Sequence, residues 1–207
     1  LGTIRLSDLR LADSRGSTEL EYINLQLDST DQQRRLQIES PFLQTTLQGQ
    51  YRYDALAEIL LSEANRYFTL PDYKGQKPTN AYRFDLDARI EYHPMLTFFV
   101  PALTSLQPIS LSARVSEQAP TLLGTLLIPE LVYDSIHVNR LSLSIEANGQ
   151  KANLHGTLDE LMVQGGFRMR KATLRTTVAE DLLRMTFTVN DSLDQVRHSV
   201  EARLAYQ

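Results

Sequence analysis

The 207 residues contain no cysteine and no tryptophan. Without cysteine there can be no zinc–thiolate site, disulfide scaffold, iron–sulfur cluster or thiol nucleophile. The absence fits an oxidising compartment without selecting one. Long hydrophobic runs are missing as well. The apolar stretches extend only a few residues, whereas a membrane-spanning helix needs about 20, so no membrane-spanning segment is expected. Neither sign of charge dominates: 21 Lys plus Arg stand against 25 Asp plus Glu, a net charge of −4. A binder of nucleic acid or of an anionic membrane surface needs a basic footprint, and this chain has none. With 9 Gly and 8 Pro, 42% hydrophobic and 22% charged residues, the composition is that of a folded domain, neither a disordered tail nor a collagen-like fibre. The sequence opens on Leu1 without Met or a signal peptide, and the expectation is an interior piece of a longer protein.

Period two dominates what remains. From Tyr82 to Tyr92 every even position is apolar (Tyr82, Phe84, Leu86, Ala88, Ile90, Tyr92) and every odd one charged. Successive side chains of a strand point to opposite faces, so this stretch has one apolar and one wet face. The same alternation occurs over 43–53, 109–115, 183–189 and 196–204, with turn signals at 13–16, Asn148-Gly149 and Asn190-Asp191. Long amphipathic strands in series predict a mainly β fold, an antiparallel, curved and open sheet with one wet face. The segment 54–68 reads as a single helix: Asp54 is a candidate N-cap, and Leu56, Ile59, Leu60, Ala64 and Tyr67 form one stripe. That stripe predicts a helix lying on the apolar side of the sheet. The stretch 69–80, with Pro71, Gly75 and Pro78, reads as a loop, and 94–108 as a short apolar helix or plug. Length favours one β-rich domain, with a first unit at 1–70 and a second at 80–207.

Apolar residues also recur with a 2-3-2 spacing at Ile4/Leu6/Leu9/Leu11, Leu20/Tyr22/Leu25/Leu27, Ile136/Val138/Leu141/Leu143 and Phe167/Met169/Ala172/Leu174. A step of three inside a strand is the signature of a bulge or break. An offset of 118 residues superposes Ile23, Leu25, Leu27, Leu36 and Leu43 on Leu141, Leu143, Ile145, Leu154 and Leu161, as two passes of one unit would.

Motifs that carry chemistry are missing. His93, His137, His155 and His198 form no spaced ligand pair, and there is no nucleophile elbow, P-loop or dinucleotide fingerprint. His198 shares the apolar side of its strand with Val196 and Val200, where a hydrogen-bonded rim histidine is the simplest reading. Asp85 and Asp87 could mimic a catalytic carboxylate pair, but they stand among Arg83, Arg89 and Glu91 on the wet face. Enzymatic activity, a cofactor and a metal are therefore not expected.

Several stretches resemble a known family. Gly2-Thr3-Ile4-Arg5-Leu6-Ser7-Asp8-Leu9-Arg10-Leu11 resembles its recurrent strand opening. Ile23-Asn24-Leu25-Gln26-Leu27, Leu36-Gln37-Ile38-Glu39-Ser40-Pro41-Phe42 and Leu47-Gln48-Gly49-Gln50-Tyr51 resemble the strands that follow. His93-Pro94-Met95-Leu96, Pro101-Ala102-Leu103 and Ile109-Ser110-Leu111 resemble its apolar insertion and renewed strands. The family is the TamB (translocation and assembly module) group of AsmA-like proteins, in its Bacteroidetes form. The resemblance implies an interior segment of a long periplasmic protein, anchored in the inner membrane, whose β-strands form a half-open trough between the two membranes. It links such proteins to phospholipid transport and to assembly of outer-membrane barrel proteins.

A conduit for phospholipid acyl chains is the function that best fits both the resemblance and the missing chemistry. The candidate lining is Tyr82, Phe84, Leu86, Ile90, Tyr92, Ile109, Leu111, Val115, Leu143, Ile145, Met185 and Phe187. Two other readings compete. One is a module that passes strands to an outer-membrane barrel protein by β-augmentation. The other is a half-barrel lipid or lipoprotein carrier with the helix as its lid.

Overall fold

The computed structural model describes residues 2–14, 16–30, 33–67, 81–117, 121–191, 193 and 195–205. The predicted loop at 69–80 lies outside them. Thirteen strands and two helices follow one another: β1 (Gly2–Asp13), β2 (Gly16–Ser29), β3 (Arg34–Glu39), β4 (Leu43–Gln50), α1 (Leu56–Tyr67), β5 (Arg83–Ile90), α2 (Leu96–Phe99), β6 (Leu103–Leu106), β7 (Ile109–Ser116), β8 (Thr121–Tyr133), β9 (Ile136–Ala147), β10 (Lys151–Val163), β11 (Phe167–Ala179), β12 (Leu182–Asn190) and β13 (Val196–Ala205). The strands form one antiparallel sheet in chain order, which does not close on itself; only β6 leaves the path, pairing with β8 beyond the end of β7. The mainly β, open antiparallel fold expected from the alternation is therefore found. No helix among the described residues is long and apolar enough to cross a membrane.

The two predicted units are not separated by a gap in the sheet, because β4 and β5 pair along their whole length, from Leu43 opposite Ile90 to Gln50 opposite Arg83. The 118-residue offset is visible in the pairing. Leu27 faces Leu36 between β2 and β3, and Ile145 faces Leu154 between β9 and β10, the same register 118 residues on. The correspondence ends at the last predicted pair, since Leu43 opens β4 whereas Leu161 lies within β10.

α1 packs on the apolar side, preceded by a 3-10 turn at Tyr53–Ala55. Its inward residues are Leu56, Ile59 and Glu63, spaced to share one helix face. Ile59 is 2% exposed and packs in one cluster with Leu47, Tyr51, Phe84 and Val115. Two details differ from the sequence reading. Asp54 does not cap the helix: it sits inside the 3-10 turn, and Arg52 takes both its oxygens, at 3.0 and 2.5 Å. That guanidinium holds the Asp54 carboxyl below its usual pKa. Leu60 is more than half exposed, because the buried face centres on Ile59 rather than on the predicted stripe. The apolar segment 94–108 supplies α2 as expected, but also the unpredicted β6, whose Leu103 and Leu106 are buried.

A crease crosses the sheet along one line. In β9 and β11 it falls on Arg140 (φ 50°) and Lys171 (φ 48°), and in β1 on Asp8 (φ 54°), all in the left-handed region. The ladders skip these residues without losing register: Leu141 faces Leu158 and Asn139 faces Glu160, with Arg140 and Asp159 unlisted as backbone partners between them but joined by a 3.1 Å ion pair. Pro129 occupies the same line in β8, Pro108 divides β6 from β7, and the β12–β13 register shifts between Val189 and Asn190. Each positive-φ residue stands at the end of the three-residue step in its 2-3-2 window. The fourth window fails, because Tyr22 faces Ser7 on the polar side while Leu20, Ile23, Leu25 and Leu27 keep the apolar one.

Candidate functional site: the apolar face of the sheet

Directly opposed residues of an antiparallel ladder share a face, so the registers define ranks running across the strands. One rank is Ile4, Leu25, Ile38, Thr45, Ala88, Leu111, Leu126, Leu143, Gly156, Leu174, Phe187 and Val200. The next rank on the same face runs from Gly2 and Leu27 through Leu36, Leu47, Leu86, Ala113, Gly124, Ile145, Leu154 and Thr176 to Met185 and Ala202. No charge enters either rank. At about 4.8 Å between strands, eleven steps give a strip roughly 53 Å long. The rank between them on the opposite face is polar throughout, from Thr3 and Gln26 through Asp87, Ser112, Thr125, Ser144 and His155 to Thr186 and Glu201.

Of the twelve predicted lining residues, Phe84, Leu86, Ile90, Ile109, Leu111, Val115, Leu143, Ile145, Met185 and Phe187 lie on this one face. They do not share one environment. Phe84 and Val115 are buried in the cluster under α1, and Leu86 packs against it. Tyr82 is buried too, and its hydroxyl donates to the buried carboxylate of Glu63 on α1. Tyr82, Phe84 and Val115 are thus core that docks the helix and cannot line an open face, because α1 already covers them. Tyr92 lies beyond the end of β5 and is exposed. Leu111, at 37% exposure, and the half-buried Leu143, Ile145, Met185 and Phe187 form the uncovered part.

Leu126, Leu154 and Leu174 belong to the same strip and escaped the sequence reading. β8 places Leu123 and Leu127 on the polar side as well, which blurs its alternation. Gly156 is hidden by its size: a Cβ there would meet Leu143 Cδ2 at 2.8 Å, so the neighbouring leucine fills the space a side chain would take.

The polar face carries the remaining candidates. Asp85 is bound by Arg114 at 2.6 Å, and Asp87 lies beside Ser112 on the same rank. The two carboxylates are a solvated, charge-balanced surface, as their spacing with Arg83 and Arg89 predicted. A shallow depression of about 410 Å³ on this side is lined by Gln37, Gln44, Asp87, Arg89, Ser112 and Thr125, among others. His198 faces Val189 on the apolar side of the terminal strand and is exposed. Among the described residues no group of His, Asp and Glu could hold a metal ion. No family model, curated protein or solved structure matches the chain.

Proposed function

We propose that this chain is a segment of a periplasmic lipid conduit of the TamB type, in which acyl chains travel along the apolar ranks between the inner and outer membranes. The observation that carries this reading is the uninterrupted, charge-free strip that crosses twelve strands and reaches both free edges of the sheet. An acyl chain of about 16 carbons gives up roughly 13 kcal/mol on entering water, at about 0.8 kcal/mol per CH₂. A strip of even apolarity offers similar burial at every step, so no single position traps the chain and no reactive group is needed. α1 covers the strip only where Leu47, Phe84 and Val115 lie, which leaves a path beside it over Leu111, Leu143 and Phe187.

Photo-crosslinking tests the reading directly. A crosslinker in place of Leu143 should form phospholipid adducts in the full-length protein, and one at the neighbouring Ser144, on the other face, should not. Equal labelling at both positions would exclude a lipid path on this face. A carrier differs in stoichiometry: one tightly held lipid per chain in native mass spectrometry, released when Leu56 is made polar, would favour a lidded pocket over a conduit.

A further inference from the structure

β1 and β13 each have a strand partner on one side only. They are long, at 12 and 10 residues, and neither contains proline or lysine, the residues that commonly blunt a sheet edge. The parity of the sheet relates the two edges. Its path holds twelve strands, and every neighbouring pair is antiparallel, so β1 and β13 run in opposite directions. In an antiparallel ladder each residue turns its N–H and C=O toward one neighbour, and the direction alternates strand by strand along a rank. With an even number of strands, a rank whose residue on β1 turns outward also turns outward on β13.

We infer that β1 and β13 are complementary docking edges, and that a second copy of this chain continues the sheet head to tail. Keeping the ranks in line sets Ile4 against Val200 of the second copy, Thr3 against Glu201 and Arg5 against Ser199. Strand polarity, hydrogen-bond phase and the apolar face then all continue across the junction, and no like charges stand opposed. Ile4 and Val200 are 55% and 54% exposed, far more than Leu143 or Leu174 on the same rank, and pairing would cover both. The contact uses two different surfaces, so it is heterologous and does not stop at a dimer unless a ring closes. The inference does not depend on what the apolar face carries.

The absence of native cysteine makes the test clean. Directly opposed residues have Cα atoms about 4.5–5.5 Å apart, within disulfide range. Mixing Thr3→Cys with Glu201→Cys chains under mild oxidation should give a disulfide-linked heterodimer that neither variant forms alone. Sedimentation of the unmodified chain should show species growing beyond the dimer with concentration. Val200→Lys and, separately, Ile4→Lys should abolish them while circular dichroism keeps its strand signal. A chain that stays monomeric with no heterodimer, or disulfides of Thr3→Cys with itself, would overturn the inference. So would a monomer whose edge accepts only an added outer-membrane barrel strand.

Discussion

Leu111 and Phe84 sit on adjacent strands and the same face, yet replacing them should do opposite things. Phe84 is 3% exposed under α1 and meets Tyr51 edge-on, with ring centroids 5.8 Å apart. Phe84→Ala opens a cavity in a packed cluster and should cost about 3–5 kcal/mol of stability. Leu111 is 37% exposed. About two-thirds of its burial is at stake, so Leu111→Asp should cost only about 1–2 kcal/mol in folding. Under an acyl chain the new carboxylate would be buried without a partner, at about 3 kcal/mol or more, equivalent to roughly a hundredfold weaker retention. The assay is a pair of curves on each purified variant: thermal unfolding, and binding of a fluorescent lysophospholipid. Lipid retention should fall in Leu111→Asp while the fold persists; Phe84→Ala should lose stability first. If Leu111→Asp retained lipid as the parent does, the apolar ranks would not be the binding face. If it unfolded as readily as Phe84→Ala, Leu111 would be core.

Three further outcomes follow from the fold. Gly49 has φ +142°, and a Cβ there would lie 2.1 Å from the Arg83 carbonyl oxygen; Gly49→Ala should therefore lower stability by about 2 kcal/mol or more in urea titration. Lys171 holds a left-handed conformation at the crease, so Lys171→Ile should cost about 1–2 kcal/mol more than Lys171→Gly in thermal melts. Tyr51 donates to the Leu47 carbonyl at 3.1 Å, and burial pushes its phenol above the usual value of 10. The unfolded phenol ionises near pH 10 while the folded one stays neutral, so this group's contribution is full below pH 10 and lost as pH rises above it. Tyr51→Phe should flatten the alkaline limb of stability between pH 10 and 12, and an unchanged limb would assign it to other groups.

The strands legible in the sequence were those whose two faces differ most. In β5 each apolar residue alternates with a charge, because one side is covered and the other meets water. β8 hides the same arrangement: Leu123 and Leu127 stand among the polar ranks, and Pro129 interrupts the run. The helix was legible as a segment but not in its contacts. Its inward face is selected by where Leu47, Phe84 and Val115 converge, and three strands far apart in sequence bring those together. Which apolar residues are covered depends on that convergence, so Tyr82 and Leu143 look equivalent in sequence and differ in the fold.

The 2-3-2 spacing shows how much a local pattern can hold once the pairing is known. A strand that turned its side chains with unbroken period two would put Leu141 and Val138 on opposite faces. A left-handed residue at Arg140 resets the alternation, so both can stay apolar on one side without disturbing the register on either neighbour. One such strand alone would be a local irregularity. Here Pro129, Arg140, Asp159 and Lys171 align on four successive strands, and the apolar set continues beyond the line as Leu131, Val138, Leu161 and Met169. The strain at each left-handed position, about 1–2 kcal/mol, is therefore offset by keeping leucines, valine and methionine on the apolar side across the whole width of the sheet. The crease extends the apolar face along the strands, at right angles to the ranks, and gives this part of the sheet two dimensions of continuous apolar surface rather than a single narrow strip.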